Sequence, residues 1–135
     1  MQQHISDLGK LLIRLAAGGL MLFHGISDIL HGPGEVMKTF ADQGLPTFLA
    51  YGIYVGEFLA PLLILLGVLA RPAGLMVAGT MIVAVLTAHR TQIFSMDDYG
   101  AWQIEVNAFY FLTALAVTCL GSGRWSVSRG RFPWD

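Results

Sequence analysis

Charged residues are scarce in this sequence: they make up 13% of its 135 residues, whereas hydrophobic residues make up 55%. A soluble domain of ordinary composition carries about 25% charged residues. The deficit indicates that the outer surface of the chain faces lipid rather than water. The formal net charge is only −1, so nothing in the composition points to a nucleic-acid partner. The length is that of one domain, residues 1–135.

Cysteine is nearly absent as well, because Cys119 is the only one in the chain. A single cysteine excludes an internal disulfide, a Cys-x-x-Cys redox pair and a cysteine-based zinc ribbon. Any redox role must therefore use a bound cofactor or a partner protein. In an apolar helix a lone cysteine most often acts as a small hydrophobic residue, and we assign Cys119 no role.

Long apolar runs are abundant, and four of them are close to the roughly 20 residues that cross a bilayer as an α-helix. Gly and Pro clusters and polar stretches separate them, as at helix ends. The predicted spans cover about residues 8–30, 47–70, 72–89 and 102–120. We interpret the first as an uncleaved span rather than a signal peptide, because Arg14 lies inside it. The predicted fold is all-α: an integral membrane, antiparallel four-helix bundle.

Basic residues are divided unevenly between the two ends of these spans. One end holds two, and the other holds Lys10, Arg14, Arg71, Arg124, Arg129 and Arg131. Positive charge marks the cytoplasmic side of a membrane protein. We therefore expect both termini in the cytoplasm and the two longer loops outside.

Ionisable residues inside the spans are the candidates for function, because they are costly in hydrocarbon and usually face a bundle interior. Counting the helical rise places Arg14 and Glu57 about 9 and about 15 Å from the cytoplasmic boundary. We therefore predict an Arg14–Glu57 interaction. Pro61 cannot donate to the carbonyl of Glu57, so a kink is expected there. The pair is either an ion pair that fixes helix register or a direct participant in chemistry.

A second polar group falls at one level near the outer surface, on three different helices: His24, His89, Glu105 and Asn107. Asp28 extends the face of His24 upward by one turn. Histidine titrates near neutral pH and a neighbouring carboxylate can relay a proton, so the layer suits a quinone headgroup. Interfacial residues bonded to water are the alternative. A metal ion is a third option, but the spacing is only weakly diagnostic and we predict no metal site.

These considerations give two sets of candidate site residues. We predict catalytic roles for Glu57, His24, His89 and Glu105. We predict substrate-binding roles for Arg14, Asn107 and Asp28. Rows of small residues, such as Gly52 with Gly56 and Gly74 with Ala78, are expected where helices pack closely. They leave association into a homo-oligomer open.

The order of polar positions and helix ends is informative over nearly the whole chain. It runs from Leu12-Ile13-Arg14-Leu15, Gly18-Gly19 and Phe23-His24-Gly25, through Gly56-Glu57 and Leu65-Leu66-Gly67-Val68-Leu69-Ala70-Arg71, to Glu105 and Gly121-Ser122-Gly123-Arg124-Trp125-Ser126-Val127. This order resembles the DoxX family of small bacterial membrane proteins. The chain departs from the family at Asp28, where many members carry Lys, and at Ser122 and Ser128, where the closing motif has Pro and Asp.

The resemblance implies a four-helix protein of the bacterial inner membrane with a link to redox chemistry. Family members include a subunit of thiosulfate:quinone oxidoreductase, and others associate with redox or sulfur-stress partners. We therefore expect a membrane subunit of an oxidoreductase system, with quinone as candidate cofactor and a soluble redox protein as candidate partner. The alternative is a non-enzymatic anchor or assembly factor, or a carrier of small solutes.

Overall fold

Five helices make up most of the chain in the computed structural model, which describes all 135 residues. The only β-type contact is an isolated antiparallel bridge between Met96 and Trp102. The helices are α1 (Gln2–His31), α2 (Gly34–Asp42), α3 (Thr47–Leu66), α4 (Ala70–Thr87) and α5 (Glu105–Leu120). The predicted all-α fold class is confirmed.

Three helices, α1, α3 and α4, are long and apolar enough to cross a membrane. The fourth predicted span corresponds to α5, which is apolar but has 16 residues, fewer than the roughly 20 that a span needs. It begins at Glu105 rather than at Trp102 because hydrogen bonds fix the preceding loop. The Asp97 carboxylate accepts two backbone amide hydrogens, at 2.9 and 2.8 Å, and the Trp102 indole donates to the Ile93 carbonyl at 2.7 Å.

Helix α2 lies in a segment that we expected to be a loop. Its apolar residues Val36, Met37 and Phe40 recur at helical spacing, a pattern that predicts a short amphipathic helix. Phe40 is buried, and the Gln43 amide just beyond the helix donates to the carbonyl of Thr87. Helix α2 therefore packs on the first turn of α3, and the residue that follows it reaches the end of α4.

Small residues set the distances between the long helices. Helix α1 packs on α3, α3 on α4, α4 on α5, and α5 on α1. A Cβ atom at Gly56 would collide with the Thr80 side chain, and one at Gly74 would lie 2.6 Å from the carbonyl oxygen of Ala114. The predicted close packing is thus confirmed at these two glycines. It is wrong at Gly52, where a Cβ atom would meet nothing within 4 Å.

Arg14 is the largest fully buried side chain, with 2% of its surface exposed. Its guanidinium donates to the carbonyls of Ile64 and Leu65, at 2.8 and 2.5 Å. It also donates to the carbonyls of Ser122 and Trp125, at 3.0 and 2.8 Å. The last carbonyls of a helix lack intrahelical donors and carry partial negative charge. Arg14 therefore joins α1, the end of α3 and the segment after α5.

Helix α3 ends at Leu66 rather than at residue 70, because Gly67 is left-handed, with φ of +70°. Its amide donates to the carbonyl of Leu63 at 2.8 Å, an arrangement typical of helix C-terminal caps. A Cβ atom at Gly67 would lie 2.7 Å from Nη2 of Arg14. Glycine is therefore required both for the backbone conformation and for the approach of the arginine.

Arg71 caps the carboxyl end of α5, as Arg14 caps the carboxyl end of α3. Its Nη1 donates to the carbonyls of Thr118 and Cys119, at 3.0 and 3.1 Å. The Asp7 carboxylate, on the first turns of α1, accepts the backbone amide of Arg124 at 3.2 Å. The N-terminal and C-terminal segments therefore lie at the same end of the helices, where two arginines cap helix carboxyl ends.

Candidate functional site

A polar cavity of about 250 Å³ lies where α1, α3, α4 and α5 approach one another. Its lining comprises Met21, His24, Glu57, Met81, Ala84, His89, Val106, Asn107 and Tyr110. Four of the seven residues singled out from the sequence therefore surround one space: His24, Glu57, His89 and Asn107. Arg14, Asp28 and Glu105 are not part of its lining.

Glu57 belongs to this cavity and not to the level of Arg14, so the predicted Arg14–Glu57 interaction is wrong. Arg14 bonds to Ile64, which is seven residues beyond Glu57 on α3 and so roughly 10 Å further along the helix. The guanidinium of Arg14 instead donates its hydrogen bonds to backbone carbonyls at its own level. Residue types alone do not reveal these acceptors, because they are backbone carbonyls at the end of α3 and after α5.

The backbone around Glu57 is irregular and tightly packed. Residues Tyr54–Leu59 form a π-helical turn, a distortion that often occurs at functional sites. Pro61 cannot donate to the carbonyl of Glu57, and that carbonyl lies directly against Gly25 of α1, where a Cβ atom would overlap it. Helices α1 and α3 are therefore in backbone contact at the level of Glu57, which fixes the origin of its side chain.

Asp28 lies one helical turn beyond Gly25 on α1, so its carboxyl group is a neighbour of Glu57 on α3. A carboxyl group can take up and release a proton. The pair is thus a place where one proton can be held beside the cavity.

The other polar lining residues face the cavity from three elements. The rings of His24 and Tyr110 pack edge to face, with centroids 5.8 Å apart and an interplanar angle of 87°. His89 Nδ1 lies 2.8 Å from the amide oxygen of Gln92, and the Asn107 amide donates to Met81 Sδ at 3.8 Å. We did not predict Tyr110, although it lies three residues after Asn107 and so on the same helix face.

Two further spaces adjoin the polar cavity. An apolar groove of about 230 Å³ runs between α4 and α5 and shares Met81 and Asn107 with it. The other groove residues are Ile82, Val85, Leu86, Trp102, Ile104, Ala108 and Phe111. A smaller space of about 100 Å³, beside α2, shares Glu57 and Ala84 with the polar cavity. Glu57 therefore lies between two cavities, and Asn107 lies between the polar cavity and the groove.

Comparison with known proteins identifies the family. A match to the DoxX family covers residues 9–90, more than half of the chain. The chain belongs to the DoxX family. A curated relative, named "Putative oxidoreductase CatD", from Bacillus subtilis (strain 168), is 33% identical over 81 residues. The aligned region is 60% of this chain and 60% of the relative. No solved structure matches the chain.

The DoxX match includes three polar residues of the cavity, His24, Glu57 and His89, and ends before α5. Asn107 and Tyr110 complete the lining from outside the matched region. At position 28, where the resemblance to DoxX proteins leads us to expect a lysine in many members, this chain places a carboxyl group beside Glu57.

Glu105 lies apart from the cavity, contrary to the layer that we predicted. It is the first residue of α5 and is exposed, and a carboxylate at a helix N-terminus is stabilised by the helix dipole. The reason for the difference is the late start of α5, which leaves Glu105 at the helix end. No group of three or more His, Cys, Asp or Glu side chains is arranged to hold a metal ion.

Proposed function

We propose that this DoxX-family chain is a membrane component of an oxidoreductase system and that its polar cavity receives the headgroup of a quinone. One observation carries the proposal: a polar cavity of about 250 Å³ continues into an apolar groove of about 230 Å³ through Met81 and Asn107. Together they fall within the roughly 300–1,000 Å³ of ordinary ligand sites. An amphipathic ligand with a polar ring and an apolar tail fits such a site.

The polar lining suits the ring of such a ligand. The Tyr110 hydroxyl and the Asn107 amide can donate hydrogen bonds, and His24 and His89 can donate from a ring nitrogen. A quinone, when bound, accepts two electrons and two protons. The chain supplies proton-holding groups at the same place, in the histidines and the Asp28–Glu57 pair. The apolar groove would hold the tail, so the ligand would enter from the lipid.

One cysteine cannot form a dithiol couple, so the electrons come from a bound cofactor or from a partner protein. We propose that a soluble redox protein delivers or removes electrons while this chain holds the quinone. The name of the Bacillus subtilis relative supports the oxidoreductase part of the proposal. The chain spans 60% of the length of that relative.

We also propose that the four long helices form an antiparallel four-span bundle in a bacterial inner membrane, with both termini in the cytoplasm. The support is the common end at which Arg14 and Arg71 cap helix carboxyl ends and to which most of the basic residues belong. Local thinning of the bilayer accommodates a short span at modest cost, so the 16 residues of α5 are compatible with crossing.

Replacing His24 and His89 together by leucine is expected to weaken quinone binding and quinone-linked turnover at least roughly tenfold, since each lost hydrogen bond contributes about 1 kcal/mol. The chain offers a matched control, because its other two histidines, His4 and His31, lie outside the cavity. Binding is measured by titration in detergent and turnover in membranes that contain the partner. An equal response of the two double variants would contradict the proposed function.

A further inference from the structure

A second polar cavity, of about 260 Å³, lies at the opposite end of the helices, where the two termini meet. Only two of its twelve lining residues, Leu120 and Phe132, are hydrophobic. The charged ones are four cations and two carboxylates: Lys10, Arg71, Arg124, Arg129, Asp7 and Asp135. The walls of this cavity therefore carry an excess of positive charge.

The two carboxylates offset only part of the positive charge of the four cations, and each is buried and hydrogen-bonded to backbone amides. Asp7 accepts the amide of Arg124 at 3.2 Å. Asp135 accepts the amides of Leu69 and Phe132, at 3.0 and 3.3 Å. Both residues are less than one-tenth exposed, at 7% and 5%. Their lone pairs thus serve to hold the chain ends in place.

Three of the four cationic side chains have hydrogen-bond donors with no partner within the chain. Arg71 donates from Nη1 to the carbonyls of Thr118 and Cys119 and from Nε to Asp135. The other three cations of the lining, Lys10, Arg124 and Arg129, form no side-chain hydrogen bond within the chain. The stem of Lys10 is packed on Gly123, whose Cβ position is 3.0 Å from Lys10 Cδ. Like charges around a small, partly enclosed space repel one another, and an anion within it would remove that repulsion.

We propose that this cavity binds a phosphate group through Lys10, Arg124 and Arg129. Arginine guanidinium groups match the geometry of phosphate oxygens, and lysine adds a point charge. A basic cavity at the end of membrane helices meets phosphates of two origins, the headgroup of an anionic lipid and free phosphate in solution. The site is separate from the polar cavity proposed to receive a quinone, and it does not depend on the proposed redox function.

The test compares the triple variant Lys10→Gln/Arg124→Gln/Arg129→Gln with the wild type and with Lys38→Gln/Arg90→Gln, which removes two cations outside the cavity. Each protein, in mild detergent, is titrated with phosphatidylglycerol, with phosphatidylcholine and with inorganic phosphate at constant ionic strength. Thermal unfolding reports binding through the ligand-dependent rise in melting temperature. Native mass spectrometry reports any retained lipid.

We expect the wild type and the Lys38/Arg90 control to be stabilised, and the triple variant to bind at least roughly tenfold more weakly. Stabilisation by phosphatidylglycerol alone identifies a lipid headgroup as the ligand, and stabilisation by inorganic phosphate identifies the free anion. Arg124→Gln alone, an exposed substitution, provides the same comparison if the triple variant does not fold. No stabilisation of the wild type by either phosphate source, or equal stabilisation of all variants, overturns the proposal.

Discussion

Replacing Arg14 with leucine is expected to lower the free energy of unfolding by about 4 kcal/mol or more, because each buried carbonyl left without a donor costs about 1–3 kcal/mol. The guanidinium serves four carbonyls, on the last turn of α3 and on the segment after α5. Arg14→Lys is expected to be intermediate, because an ammonium group cannot span the same four acceptors. The yield of folded protein and its melting temperature in detergent measure both effects.

Arg90→Leu is the control for Arg14, because Arg90 is exposed and lies beyond the end of α4. Its loss is expected to change the free energy of unfolding by no more than about 0.5 kcal/mol. Equal melting temperatures for the Arg14 and Arg90 variants would show that Arg14 does not hold the three segments together.

Replacing Gly25 with alanine is expected to lower the free energy of unfolding by about 3 kcal/mol, near the upper end for overpacking. The added methyl group would occupy the position of the Glu57 carbonyl oxygen, which is backbone and cannot rotate away. Helix propensity alone predicts the opposite sign, a gain of up to about 1 kcal/mol. The direction of the change in melting temperature therefore distinguishes the two effects.

Gly79→Ala supplies the matched control for Gly25→Ala. Gly79 lies within α4, and a Cβ atom there would meet nothing within 4 Å. We expect this variant to keep or raise the melting temperature and to leave the polar cavity intact. An unchanged or raised melting temperature for Gly25→Ala would contradict the backbone contact between α1 and α3 at Glu57.

Much of the helical framework could be predicted from the sequence, because apolar runs of membrane length carry a strong signal. Three predicted spans correspond to the long apolar helices α1, α3 and α4. The ends were less accurate, since caps depend on single residues: Gly67 stops α3 four residues before the predicted boundary at 70. Helix α2 was missed because its nine residues gave too short a pattern beside the long runs.

The lining of the polar cavity could be predicted in part. The outcome for each residue depended on whether its partners are side chains or backbone groups. His24, His89 and Asn107 were grouped by depth, and they line one cavity. The partners of Arg14 could not be read from residue types, because they are backbone carbonyls that only the packing of α1 on α3 brings near. Glu57 was placed too close to Arg14, because Arg14 lies level with Ile64 and Leu65 at the end of α3. The roles of all these residues in binding or catalysis remain predictions.

The central claim, one amphipathic ligand that fills the polar cavity and the adjoining groove, is tested most directly by the fluorescence of Trp102, which lines the groove. Trp125→Phe/Trp134→Phe leaves it as the sole tryptophan, and the protein is titrated with an isoprenoid quinone and with the same ring lacking a tail.

Ala108→Phe fills the groove, and Leu112→Phe adds the same ring at an exposed position. We expect saturable quenching by both quinones and, in Ala108→Phe alone, roughly tenfold weaker binding of the tailed quinone. Quenching that rises linearly with quinone concentration, unchanged by Ala108→Phe, would contradict the claim.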